Sequence, residues 1–189
     1  MPFHRSYLLA TMLACAILGA VSVRVVADDS VEYAVKAAYL SKFGIYVTWP
    51  NSTFQTSDDP LNICVVGEDP FGAALDQAVR DKSINTHPVQ VRRVSAYDPI
   101  PVCHILYVND DDDYTEQGVL ESARGRAVLT VTDGRGDLPP SGVVDFVVVD
   151  NRVRFTIDRD AAQQNGLKIG SKLLQLALNV KQASAGARP

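Results

Sequence analysis

The sequence has few of the residues that enzymes use for catalysis. It contains three histidines, and no serine stands in the G-x-S-x-G turn that exposes the nucleophile of α/β hydrolases. His87 and His104 remain if the apolar N-terminal stretch is removed, and His104 follows a cysteine in a strand-like run, where it reads as a half-exposed structural histidine. A metal site needs more ligands at regular spacing than these two. The composition therefore favours a protein that is not an enzyme and has no metal or other cofactor.

Basic residues are not in excess. There are 18 Lys and Arg residues against 22 Asp and Glu residues, so the formal net charge at pH 7 is −4. Nucleic-acid binding needs a concentrated basic surface that neutralises phosphates. The charge balance therefore argues against a DNA or RNA partner.

The N-terminus has the pattern of a secretory signal peptide. Arg5 precedes an uncharged stretch over residues 6–23, and Ala27 ends a run of small residues before the acidic Asp28. A membrane anchor is the alternative, since about 18 apolar residues can span a bilayer. Polar residues interrupt the stretch and acidic residues follow it at once, which favours cleavage. We predict that residues 1–27 are removed on export to the periplasm, which leaves 162 residues, a net charge of −6 and no spanning segment.

Cysteine is scarce. Cys15 lies within the predicted leader, where lipid attachment is an alternative that its preceding residues support poorly. Cys64 and Cys103 remain, and export would place both where disulfides persist. A bond across this 39-residue span would stabilise the fold by about 4 kcal/mol in the chain-entropy model. Two buried free thiols are the alternative, because both cysteines lie in apolar runs.

An apolar stripe at helical spacing covers residues 31–49 and ends before Pro50. It predicts an amphipathic helix whose apolar side consists of Val35, Ala38, Tyr39, Phe43 and Tyr46. Most of this stripe is expected to pack on a sheet. Trp49 is expected at the end of the helix, partly exposed, where its ring would anchor a partner contact.

Short apolar runs alternate with helical patterns over the middle of the chain. Strands are predicted at LNICVVG (61–67), VQVRRV (89–94), CHILYV (103–108) and RAVLTVTD (126–133), and helices at EDPFGAALDQAVRD (68–81) and NDDDDYTEQGVLESA (109–123). This order is typical of βαβ units. We predict one α/β domain over residues 28–182, with a mixed β-sheet flanked by helices, a C-terminal β-hairpin and a final helix.

The hairpin is predicted where Asp150 and Asn151 separate two β-rich runs, since both residues tolerate a left-handed turn. On its second arm Arg152 and Arg154 alternate with apolar residues, so they are expected to face solvent or an anionic ligand.

The final helix is predicted to have Ser171 as its N-cap and to carry an apolar stripe that continues to Val180, and its apolar arc is wider than one core face requires. Leu174 and Leu178 widen that arc, so we expect them to contact a partner or a second copy of the chain. Residues 183–189 have too little apolar content to fold and are predicted to be a disordered tail.

A periplasmic small-molecule-binding sensor is the alternative function. Its pocket would lie beside the two hairpin arginines or at residues 67–72, which follow a strand and precede a helix, where doubly wound folds bind phosphates. These residues lack the spacing of the known phosphate-binding loops, so a capped turn is the simpler interpretation.

Five segments together resemble the YfiR family of small periplasmic proteins over essentially the whole mature chain: KAAYLSKFGIYVTWP, LNICVVGEDPFG, CHILYV, AVLTVTD and VRFTIDRDAAQQNGLKIGSKLLQLA. The resemblance implies a regulatory α/β domain that forms homodimers. It would bind the periplasmic domain of an inner-membrane diguanylate cyclase and repress it, which lowers cyclic di-GMP signalling and biofilm formation. It also implies a disulfide between Cys64 and Cys103. No cysteine follows Cys103, so redox control through a second bridge is not expected.

Overall fold

The computed structural model describes residues 26–109, 113–134 and 142–182. Residues 1–25 of the predicted leader and residues 183–189 of the predicted tail lie outside these ranges. None of the helices formed by the described residues is both long enough and apolar enough to cross a membrane.

The described residues form five α-helices, one 3-10 turn and ten strands. The helices are α1 (Val26–Phe43), α2 (Ala73–Val79), α3 (Asp113–Ala123), α4 (Arg159–Gln164) and α5 (Ser171–Leu176), and the 3-10 turn spans Gly44–Tyr46. The strands are β1 (Val47–Thr48), β2 (Leu61–Gly67), β3 (Ser83–Ile84), β4 (His87–Val94), β5 (Ile105–Asn109), β6 (Leu129–Asp133), β7 (Val144–Val149), β8 (Arg152–Asp158), β9 (Lys168–Ile169) and β10 (Asn179–Lys181).

Eight strands form one mixed sheet in the order β10-β8-β7-β6-β5-β2-β4-β3. The strands from β4 across to β7 are parallel, β8 returns antiparallel to β7, and β10 lies parallel to β8. The two short strands β1 and β9 pair with each other in a separate antiparallel ladder. The predicted α/β fold with a mixed sheet flanked by helices is confirmed.

The sheet is covered on both faces because its central strands are apolar on both sides. Alternate residues of a strand point to opposite faces. In β2, Ile63 and Val65 join the large core with α1 and α2, whereas Cys64 and Val66 join a smaller core with α3. This two-sided burial explains why β2 reads as a continuous apolar run.

The large core contains a cluster of aromatic rings between α1 and the hairpin. Tyr39 and Phe43 pack against Phe146 and Phe155, and the ring centroids within this group lie 5.4–6.1 Å apart. Such ring pairs stabilise a core beyond the area that they bury. The cluster therefore holds α1 firmly on the sheet.

The first helix ends earlier than its apolar stripe predicts. It stops at Phe43, where the 3-10 turn Gly44–Tyr46 begins, and residue 44 must be small because a Cβ there would be 2.7 Å from the Ile84 side chain. The chain then forms β1, whose β-branched residues suit a strand. Trp49 thus follows a strand, and its ring is only 8 % exposed, so its predicted place at a helix end and its partial exposure are wrong.

The hairpin is confirmed, since Asp150 and Asn151 both have left-handed φ angles, of 50° and 57° respectively.

The final helix is shorter than predicted. It ends at Leu176, and Gly170 rather than Ser171 occupies the N-cap position. The free edge of β8 offers unpaired backbone groups, and the chain uses them: the Leu178 N–H donates to the Phe155 carbonyl oxygen at 2.8 Å, and β10 follows.

The disulfide between Cys64 and Cys103 is present, with a Cα–Cα distance of 5.8 Å. It joins β2 to the residues that lead into β5, and both cysteines are buried in the smaller core beside α3. The bond therefore fixes two neighbouring strands of the sheet at their amino-terminal halves.

Candidate functional site

The outward side of α1 is apolar. Val31 is 63 % exposed, Val35 is 39 % exposed, and Ala34 and Ala38 are also exposed. These positions repeat at intervals of three or four residues, so they lie on one side of the helix. Within residues 29–43, the part of α1 whose side-chain burial is described, Lys42 is the only charged residue in that stripe, whereas the outward side of a surface helix is usually polar. The helix is therefore apolar on both sides, one packed and one open.

The β-hairpin extends this apolar side. Val148 is 50 % exposed. Val148 and Val153 line, together with Val31 and Val35, a depression of about 300 Å³ between the helix and the hairpin. We call these four valines (Val31, Val35, Val148 and Val153) the α1–hairpin surface. An exposed apolar area of this kind, rimmed by polar groups, is typical of a protein-binding site.

A second apolar patch lies at the other end of α1. It consists of Ile45, Leu176 and Leu178, which are 57 %, 55 % and 46 % exposed. The 3-10 turn that carries Ile45 contacts α5, which ends at Leu176, and Leu178 follows two residues later. We call them the C-terminal patch.

Only one of the three predicted partner contacts is on the surface. Leu178 is exposed, whereas Trp49 is buried and Leu174 is half-buried against the large core. Leu176, which was not predicted to be a partner contact, is more exposed than all three. The difference arises because α5 ends at Leu176, so the helical arc that was expected to continue to Val180 does not exist.

The two hairpin arginines do not converge on an anion site. Arg152 is exposed and borders the depression, but the Glu32 side chain lines the same depression and would repel an anion. Arg154 is half-buried opposite Val147 of β7. Arg152 therefore forms part of the polar rim of the α1–hairpin surface.

The turn before α2 is a capped turn rather than a phosphate site. The Asp69 carboxylate accepts hydrogen bonds from the Phe71 and Gly72 N–H groups at 2.8 and 3.3 Å. Arg93 binds the same carboxylate at 2.6 Å and also binds Asp76 at 2.8 Å. The backbone donors that would hold a phosphate are thus already occupied by a side chain of the chain itself.

A buried ion cluster holds α1 beneath the α1–hairpin surface. The Lys36 side chain is 4 % exposed, and its Nζ lies 2.8 Å from Asp133 Oδ2 and 2.5 Å from Glu32 Oε1. The Tyr33 and Tyr107 hydroxyls donate to the same Asp133 oxygen at 3.2 and 2.9 Å. Burial, followed by the Asp133 charge, raises the pKa of both tyrosines above its ordinary value. The cluster fixes α1 against the ends of β5 and β6.

His104 is a core histidine. It is 3 % exposed, so the predicted half-exposed position is wrong. Its Nδ1 accepts the Asn62 N–H at 3.0 Å, which leaves the proton on Nε2. Burial lowers the pKa of His104 to about 4, and the nearby His87 adds to the shift. In the described part of the chain no group of three or more His, Cys, Asp or Glu side chains is placed to hold a metal ion.

We predict that the protein loses stability as the pH falls from 6.5 to 4. The unfolded chain binds a proton at His104 near pH 6.5, whereas the folded chain binds it only near pH 4. The stability that neutral His104 contributes to the folded chain is therefore fully present above pH 6.5 and is lost at pH 4. It amounts to about 2 to 3 kcal/mol. Urea unfolding across this interval measures it. A His104→Gln variant should show a shallower dependence on pH, and an equal slope for both proteins would contradict the assignment.

The sequence matches the model of the YfiR/HmsC-like family over residues 33–178. The match covers more than half of the chain and reaches from within α1 past the end of α5, so it includes Val35 and the whole hairpin of the apolar surface but not Val31. No curated protein matches the chain.

Proposed function

Because the chain belongs to the YfiR/HmsC-like family, we propose that it is a periplasmic regulator that binds the periplasmic domain of an inner-membrane diguanylate cyclase and represses that enzyme. Repression lowers cyclic di-GMP and with it biofilm formation. The α1–hairpin surface is the observation that carries this proposal, because it gives a globular domain a defined apolar area for a protein partner.

The α1–hairpin surface has the anatomy of a protein interface. Its centre consists of valines, and its edge carries the polar side chains of Arg152, Asn151 and Glu32. Interfaces of this type bury an apolar centre behind a polar rim. The aromatic cluster and the Lys36 cluster hold the surface from below, so little conformational entropy is lost when a partner binds.

Export is part of the proposal. Residues 1–27 would direct the chain to the periplasm, where it can reach only the outward parts of a membrane enzyme. The disulfide between Cys64 and Cys103 supports this location, since disulfides persist in the periplasm and are rare in the cytosol.

Self-association is a further part of the proposal, and the C-terminal patch is its site. Leu176 and Leu178 are apolar and about half exposed, which leaves them available to a second copy. The patch lies at the opposite end of α1 from the hairpin, so a homodimer formed there would leave the α1–hairpin surface open for the cyclase.

Val35→Asp is expected to weaken the contact with the cyclase. An aspartate at this position would be buried without a partner in the complex, which costs about 3 kcal/mol and weakens binding roughly a hundredfold. Calorimetric titration of residues 28–189 with the periplasmic domain of the cyclase measures the effect, under oxidising and reducing conditions.

The matched control is Val102→Asp, the same substitution at a valine that is 66 % exposed in the segment before β5. It should bind as the natural chain does. If Val35→Asp also bound normally, the α1–hairpin surface would not be the site. No association of the natural chain in either condition would count against this cyclase as the partner.

A further inference from the structure

A groove of about 550 Å³ lies beside β1, away from the α1–hairpin surface. It is lined by Val47, Thr48, Trp49, Pro50, Asn51, Phe54, Gln55, Thr56, Ser57, Asn85, Thr86 and His87. Its size falls within the range of about 300 to 1,000 Å³ in which proteins bind small molecules. None of these residues lines the depression between α1 and the hairpin.

The lining is polar but carries no lysine, arginine, aspartate or glutamate. Seven of its twelve residues have an amide or hydroxyl side chain: Thr48, Asn51, Gln55, Thr56, Ser57, Asn85 and Thr86. Charged residues make up 21 % of the chain, so twelve residues taken at random would include two or three. The groove is therefore unusually neutral for this protein, which points to an uncharged ligand.

The amides and hydroxyls narrow the ligand class further. Each of these side chains both donates and accepts hydrogen bonds, as does the hydroxyl group of a sugar. An anionic ligand would be recognised by charge-assisted bonds, for which the lining has no cation of the lysine or arginine type. An apolar ligand would desolvate the amides without pairing them, at a cost in free energy. A neutral, polyhydroxylated ligand needs no cation in the lining, and its hydroxyl groups pair with the amides.

One wall of the groove is aromatic and rigid. The Phe54 ring is stacked between His87 and His104, at centroid distances of 3.8 and 4.4 Å. The Trp49 ring meets Phe54 edge-on at 6.3 Å. Both faces of the Phe54 ring are thus covered by imidazole rings and Trp49 is only 8 % exposed, so this wall fixes the shape of the groove and the amides and hydroxyls supply its contacts with a ligand.

Two buried polar atoms lie next to the groove without a hydrogen-bond partner among the described residues: Trp49 Nε1 and Thr53 Oγ1. Unpaired buried donors cost free energy until they are satisfied. Both atoms belong to the loop between β1 and β2, which forms one side of the groove.

We infer that the groove binds a neutral saccharide, which its amides and hydroxyls hold by hydrogen bonds beside the edges of Trp49 and Phe54. Cell-wall glycans and secreted polysaccharides share this chemistry. They are distinguished by the acetamido groups that cell-wall glycans carry, so one probe with these groups and one without them separate the two sources.

Trp49 is the single tryptophan of the chain, and its fluorescence reports on the groove directly. Chitotetraose, which carries acetamido groups, and cellotetraose, which does not, are titrated into residues 28–189. At least one should change the emission in a saturable way with a Kd of about 0.01 to 1 mM. Saturation by chitotetraose alone assigns acetamido glycans, saturation by cellotetraose alone assigns plain glucans, and saturation by both assigns neutral saccharides in general.

Asn51→Ala and Gln55→Ala remove exposed amides of the groove and should each weaken binding at least about fivefold. Gln77→Ala removes an exposed amide of α2 outside the groove and should leave binding unchanged. Three results would overturn the inference: no saturation by either sugar, unchanged binding by the double variant at positions 51 and 55, or tighter binding of tetragalacturonate than of both neutral sugars. None of these results would bear on the cyclase contact, because the α1–hairpin surface shares no residue with the groove.

Discussion

Replacing Lys36 by Met is expected to lower the free energy of unfolding by about 3 kcal/mol, because the change leaves two half-buried carboxylates without their buried cation. Lys36 is 4 % exposed and pairs with both Asp133 and Glu32. Breaking a buried ion pair by removing one partner typically costs about 3 to 5 kcal/mol. We expect the lower end of this range, since Asp133 retains 19 % of its side-chain exposure and some contact with water.

Guanidinium unfolding midpoints measure the effect of Lys36→Met. The matched control is Lys42→Met, which changes an exposed lysine of the same helix and should alter stability by less than about 0.5 kcal/mol. A double variant, Lys36→Met with Asp133→Asn, should recover part of the loss because it also removes the uncompensated Asp133 charge. Equal stability of the two single lysine variants would show that the cluster contributes nothing to the fold.

Loss of the disulfide is expected to cost about 4 kcal/mol, because the bond closes a 39-residue span and restricts the unfolded chain. An ordinary domain has a free energy of unfolding of roughly 5 to 15 kcal/mol, so the disulfide contributes a large part of it. Cys64→Ala with Cys103→Ala removes the bond while keeping small apolar groups in the smaller core.

Denaturant unfolding compares this double variant with the oxidised natural chain and with the natural chain in a reductant. The variant and the reduced chain should unfold at similar, lower midpoints, and the m-value of both should rise because their unfolded states expose more surface. A loss below about 1 kcal/mol would contradict the chain-entropy account. Since the described residues contain this bond alone, reduction should act on the stability of the domain as a whole.

Much of the fold is visible in the sequence because it depends on local patterns. The buried strands β2, β5 and β6 read as apolar runs, and the pair Asp150 and Asn151 marks the hairpin turn by its tolerance of left-handed angles. The order of strands and helices then restricts the topology, since parallel neighbours need crossover connections.

The two helix ends could not be predicted, since tertiary contacts set both. α1 stops where Gly44 approaches Ile84, a residue forty positions away. α5 gives way to β10 because the edge of β8 offers backbone partners to the chain that passes it. In both places the apolar pattern continues at helical spacing, so the sequence alone favours a longer helix.

The α1–hairpin surface could not be predicted from the sequence for a different reason. α1 is apolar on two sides, and a pattern of apolar residues does not tell which side faces the sheet. Val35 was assigned to the packed stripe but is 39 % exposed, whereas Lys36 beside it is buried. A lysine with glutamate four residues before it reads as an exposed helix pair. Its burial depends on Asp133, nearly a hundred residues away.

Intracellular cyclic di-GMP is the most direct measure of the central claim that this protein represses a membrane diguanylate cyclase. In cells that make the protein, deletion of its gene should raise cyclic di-GMP, and the natural chain or Val102→Asp supplied in trans should bring it down again. Val35→Asp should reach the periplasm and fail to do so. Unchanged or lower cyclic di-GMP after deletion would contradict the account.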